Sequence, residues 1–299
     1  MKSSTIGTSK MFAVLAMVAS LITATLVQAQ ARSSSEQIKA FFAAQGCAIG
    51  PTTIAAAAAD GIDPAAIEAY AAVARANPHT VKTGDWLVLS PEVCEIRPPN
   101  VTSEIRLSDP EVIQNLSAID AYAKDGDIGC FLAGPGLSDT VKVSRNWSND
   151  KANLEYLRFL SASIISGELS FYSPSPLRTP PGFIVTSGKC ADIPQIADIK
   201  HSHDLLMRHF GALIRADAAG EAICESNGGV PSWKFDEVAE QIMDSKAPNA
   251  WLGFEIKIIA MGAEWYDGMT ATDKGIPRPP LCRYSSRMSA GTIPNASNP

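Results

Sequence analysis

Three of the chain's four histidines, His201, His203 and His209, lie within nine residues, with Asp204 among them. Imidazole nitrogens and a carboxylate are ordinary zinc ligands, so the spacing H-x-H-x5-H could hold a metal. Ligands on one helix must sit three or four residues apart, and the six-residue step from His203 to His209 turns the two rings to different faces. The expectation is a polar helix start ahead of Leu205, Leu206 and Phe210, with no metal and no other cofactor.

The remaining chemistry is sparse. Ser148-Asn149-Asp150-Lys151 matches S-x-x-K and Lys82-Thr83-Gly84 matches K-T-G, two motifs that occur together in penicillin-recognising serine enzymes. Their order here is reversed and no S-D-N is present, so the match is read as chance. No G-x-S-x-G, H-E-x-x-H, glycine-rich phosphate loop or EF-hand pattern occurs. Asp125, Asp127, Asp217 and Glu221 sit near Cys130 and Cys224 and could pair across repeats for acid/base work, but they read first as solvated helix ends. Among the five tryptophans, Trp147 and Trp233 fall in expected loops, which makes them the candidates for a binding surface. Asn100, Asn115, Asn146 and Asn295 head N-x-S/T triplets, relevant only in a host that glycosylates.

Whatever these residues do, the cysteines organise the elements that carry them. There are six, none in a C-x-x-C pair. The first 29 residues read as a signal peptide: Lys2 and Lys10 precede an uncharged apolar run, Met11 to Val27, and small residues follow around Ala29 and Ala31. Export implies an oxidising compartment and a disulfide framework, and it leaves no integral membrane segment after cleavage. Six cysteines allow fifteen pairings. A recurring plan selects one of them. Cys130 lies 37 residues before Gly167 and Cys224 lies 38 before Gly262, and each cysteine follows a Gly-acid pair, Gly126-Asp127 or Gly220-Glu221, by four residues from the glycine. The pairing expected is Cys47 with Cys94, Cys130 with Cys190, and Cys224 with Cys282. Each loop of 50 to 60 residues would then contribute about 4 kcal/mol on the chain-entropy account.

The expected fold is mainly α with short β-hairpins, an α+β chain of three tandem winged-helix-like helical modules, each closed by one disulfide. Module 1 spans 32–98, module 2 spans 105–192, module 3 spans 195–284, and 285–299 is a disordered tail rich in Ser, Pro and Asn. In module 1, Ser35 caps a helix that carries Ile38, Phe41 and Phe42 on one face, Pro51 opens a second through Ala59, and Asp63-Pro64 opens a third to about Arg75. A hairpin follows, with Thr80-Val81 against Trp86 to Leu89. Gly134 to Asn149 is poor in periodicity and is expected to be a loop. Arg97-Pro98-Pro99-Asn100 and Ala191-Asp192-Ile193-Pro194 have linker composition.

Charge narrows the partners. The formal net charge is −6, and −8 once Lys2 and Lys10 are removed, which opposes nonspecific binding to nucleic acid or to anionic membranes. The function expected is an exported, disulfide-stapled, non-enzymatic protein, secreted or periplasmic, that binds a protein or cell-envelope component. The alternative is an exported hydrolase with an active site between modules, and a deep cleft with converging acid, base and nucleophile would distinguish it.

Overall fold

A computed structural model describes residues 35–116, 129–132, 135–172, 182–220, 252–269, 276–278 and 281. The described residues are mostly helical, with small antiparallel sheets. None of their helices is long and apolar enough to cross a membrane. The expected signal peptide and the expected tail lie outside them.

Helix α1 (35–43) buries Ile38 and Phe42, with Phe41 half-covered beside them. Strand β1 (Ala48–Ile49) leads into α2 (Pro51–Ala59), whose first-turn proline gives up an N–H that no helix partner would use. The Thr53 hydroxyl closes this turn. It accepts from the Gly50 N–H at 2.9 Å and lies 3.0 Å from the Ala48 carbonyl oxygen. Asp63 caps α3 (Pro64–Ala76) by accepting from the Ala65 N–H at 3.1 Å. Strands β2 (Val81–Thr83) and β3 (Trp86–Val88) form the hairpin around Gly84, whose φ of 53° glycine adopts without a Cβ clash. Strand β3 lies between β1 and β2, with Val88 opposite both Ala48 and Val81. A Cys47–Cys94 disulfide joins the residue before β1 to the turn beyond β3.

The next segment contains α4 (Pro110–Leu116), β4 (Phe131–Leu132), α5 (Pro135–Arg145), α6 (Asn149–Ser166), β5 (Leu169–Tyr172) and β6 (Gly182–Val185). Here β6 is central, pairing Phe131 with Ile184 on one side and Phe171 with Phe183 on the other. A Cys130–Cys190 disulfide joins the residue before β4 to a 3-10 turn, Gly188–Asp192, beyond β6. The last segment has α7 (Ile196–Arg208), α8 (Phe210–Gly220), α9 (Leu252–Gly262), β7 (Tyr266–Asp267) and β8 (Ile276–Pro277), the two strands paired antiparallel. The expected partner bridge, Cys224 with Cys282, lies outside the described residues.

Several expectations need correction. The stretch from Gly134 to Asn149 is not a loop, since α5 fills most of it. Among its residues with described side chains, Leu137 and Val141 alone are fully buried, and a two-residue stripe carries too little periodicity to be seen in sequence. Ala191 to Pro194 is not a plain linker. It includes the end of the 3-10 turn and a buried Ile193, held in by the adjacent disulfide. Asp217 is not a solvated helix end. It is buried on α8, with Lys257 of α9 at 3.9 Å.

One continuous apolar core runs through the described chain, taking Phe42 and Ile49 from the first segment, Phe131 and Phe159 from the second, and Ile259 and Trp265 from the third. At its centre α6 and α9 lie against each other. A Cβ at Gly262 would meet the Ser161 side chain and would come within 2.6 Å of the Leu157 carbonyl oxygen, so only glycine permits this approach. Likewise a Cβ at Gly211 would come 2.7 Å from the Ile96 carbonyl oxygen, where α8 crosses the first segment.

Candidate functional site

A cleft of about 580 Å³ opens where the three segments meet. Its walls come from the start of α2, the irregular stretch Asn100 to Thr102, the middle of α6, and the turn after α9. The volume is within the range of ligand sites.

Two carboxylates set its geometry. Glu155 on α6 is buried. Its Oε2 accepts the Glu104 N–H at 2.8 Å and the Ser103 hydroxyl at 3.2 Å, which fixes the stretch carrying Asn100 and Thr102 along the helix. Burial would raise the Glu155 pKa. The hydrogen bonds from Glu104, Arg158 and Ser103 outweigh it and hold the carboxyl below its ordinary value. Arg158, one turn along α6, reaches Glu155 at 2.7 Å with one Nη and Glu264 at 2.6 Å with the other.

Glu264 follows from how α9 ends. The Glu264 N–H bonds to the Met261 carbonyl and the Trp265 N–H to the Ala260 carbonyl, a Schellman turn with Glu264 at the left-handed position, φ 57°. Glycine takes that position without strain. A glutamate there places a carboxylate at the cleft mouth beside Arg158. Arg278, also lining the cleft, is 4% exposed. Its guanidinium stands over the rings of Trp86 and Trp265, at 5.7 and 5.6 Å, and donates to the Gln45 carbonyl at 2.8 Å.

No histidine, cysteine or lysine is among the described residues lining the cleft, and no serine or threonine there is paired with a base. Glu264 is ion-paired and Glu155 is sealed by its partners, so two carboxylates do not face a common space in which a water or a scissile bond could sit. What the walls offer is hydrogen bonding.

The residues expected from sequence sit elsewhere. Trp147 is in the α5–α6 connection, half-buried against the core, with the Arg145 guanidinium 5.2 Å and the Lys151 ammonium 4.4 Å from its ring centre. Ser148, the serine of the S-x-x-K match, is the cap of α6 and accepts the Lys151 N–H at 3.2 Å. His201 and His203 lie around the middle of α7 rather than at a helix start, and His209 is the residue at its C-terminal end. His203 packs over Gly167, its Nε2 3.3 Å from the Ile165 carbonyl oxygen. Among the described residues no group of three or more His, Cys, Asp or Glu side chains is placed to hold a metal ion. Trp233, Asp125, Asp127 and Glu221 lie outside the described residues.

Sequence reading missed the cleft residues Arg158, Glu264, Thr52 and the pair Asn100/Thr102, which it had noted only as a glycosylation triplet. The i,i+3 pair Glu155/Arg158 was a visible signal, but nothing local shows that Glu264, 106 residues on, completes it. No protein-family model, no curated protein and no solved structure matches this chain.

Proposed function

We propose that this is an exported, disulfide-stapled, non-enzymatic binding protein, secreted or periplasmic, whose tandem winged-helix-like modules build a cleft for a protein or cell-envelope component. The observation that carries the reading is the cleft itself. It is roomy and rich in hydrogen-bonding groups, and it lacks an acid/base pair or an activated nucleophile among its described residues.

The tandem arrangement is supported by topology. The first two segments share the order helix, strand, helix, helix, strand, strand, and in each sheet the last strand is central. Both disulfides run from the residue before the first strand to a turn after the last. In the third segment α9 is likewise followed by a two-stranded pair. Disulfides fit an oxidising compartment.

The test is a turnover screen of the mature protein on peptide, glycan and ester substrates, run beside co-sedimentation with envelope material. Retention without turnover is expected. Hydrolysis that disappears on Arg158→Ala would replace this reading with that of an inter-module hydrolase.

A further inference from the structure

Resting on the binding reading, we infer that the inter-segment cleft takes an uncharged, hydroxyl-rich ligand, a neutral oligosaccharide segment. The fixed charges at its mouth already satisfy each other. Arg158 is engaged by Glu155 and Glu264 at 2.7 and 2.6 Å, so a charged ligand would have to displace a short ion pair. Arg278 is buried, with its guanidinium over two indole rings and donating to the Gln45 carbonyl.

Beside these charges the cleft presents neutral polar groups. The side chains of Gln45, Thr52, Asn100 and Thr102 line the cleft and have no hydrogen-bond partner among the described residues. Two amides and two hydroxyls can each donate and accept, which matches the mixed character of sugar hydroxyls and N-acetyl groups. A peptide ligand would need apolar side-chain anchors or an open strand edge. The apolar side chains lining the cleft are the small or flexible Ala56, Val101, Leu154, Ala263 and Met269, and Tyr266 is the one aromatic side chain among its described lining residues.

The Asn100/Thr102 pair provides the discriminating variant, because both side chains are exposed and have no hydrogen-bond partner among the described residues, so their loss is expected to leave the fold intact. The mature chain is produced in a bacterial host without N-glycosylation, which keeps the Asn100 amide free. Calorimetry and saturation-transfer NMR are run with chitotetraose, cellotetraose and maltotetraose, with a capped Gly/Ser/Ala tetrapeptide, and with a tetramer of hexuronic acid. At least one neutral tetrasaccharide is expected to bind. Its affinity should be insensitive to raising ionic strength from about 0.1 M to about 1 M. It should fall roughly tenfold in the Asn100→Ala/Thr102→Ala double variant, the loss of two neutral hydrogen bonds, with an unchanged melting temperature.

Binding of the peptide or the hexuronate alone overturns the proposal, as does neutral-sugar binding that the double variant leaves untouched. If no saccharide binds while envelope material is still retained, the ligand class fails and the binding reading stands. If a neutral saccharide is bound and cleaved, the ligand class stands and the non-enzymatic reading fails.

Discussion

Oε1 of Glu255 accepts a 2.7 Å hydrogen bond from the backbone N–H of Phe171, tying α9 to β5 across 84 residues of sequence. The Ser170 hydroxyl donates to the same oxygen at 3.0 Å. The carboxyl is 4% exposed, and burial pushes its pKa up to about 7 against those two hydrogen bonds.

A carboxyl with a folded pKa above its unfolded value stabilises the fold in its protonated form. Its contribution is therefore fully present below about pH 4.5 and lost as pH rises through about 7. Urea unfolding at about pH 5 and about pH 8 should show wild type losing on the order of 3 kcal/mol that Glu255→Gln retains, since the amide oxygen still accepts from Phe171 without a charge to bury. Parallel pH curves for the two proteins would contradict this.

The Glu111–Arg145 pair has the opposite sign. Arg145 first, and then the Ser144 hydroxyl, hold the Glu111 carboxyl down at about 2, with Nε of Arg145 at 3.0 Å and the hydroxyl at 2.6 Å. That stability is present above about pH 4.5 and is lost as pH falls toward about 2. Glu111→Gln should cost about 2 kcal/mol at neutral pH and nothing near pH 2, read from urea midpoints. Arg145→Met should cost more, about 3 kcal/mol, because it leaves a buried carboxylate without its cation.

Gly262→Ala would ordinarily favour a helix, yet here it should destabilise by about 2 kcal/mol, because the new methyl would push α9 off α6. Ser161→Gly should not rescue it, since the Leu157 carbonyl oxygen, 2.6 Å from that methyl, is backbone. Thermal melts of the single and double variants decide; full rescue would mean the helices are not held this close.

Cys130→Ala/Cys190→Ala opens a 60-residue loop and should cost about 4 kcal/mol in urea unfolding. A non-reducing peptide map of the mature chain should show Cys224 and Cys282 travelling together as a third bridge. Recovery of either as a free thiol would remove the third staple.

Helix starts were readable because their causes are local. Asp63-Pro64 caps and opens α3, and Pro51 opens α2, through interactions within four residues. The hairpin at Gly84 was readable for the same reason, and so was the buried face of Ile38 and Phe42. Helix α5 was not, since just two of its residues reach the core, and the S-x-x-K match was a helix cap whose lysine also covers Trp147. The histidines looked like chemistry because of their spacing, but α7 turns them apart and buries Ile199, Leu205 and Leu206 instead.

By itself the sequence determined the helix-forming stretches, the acidic balance and the cysteine intervals, because propensity, capping and net charge are properties of neighbouring residues or of composition. Only the tertiary structure decided the cleft, the Arg158–Glu264 pair and the buried Glu255 contact. The two contacts join residues 106 and 84 positions apart, and the cleft draws on all three segments. Such pairs form only when α9 lands on α6 and β5, and that docking depends on side-chain shape at Gly262 and on burial across the whole core.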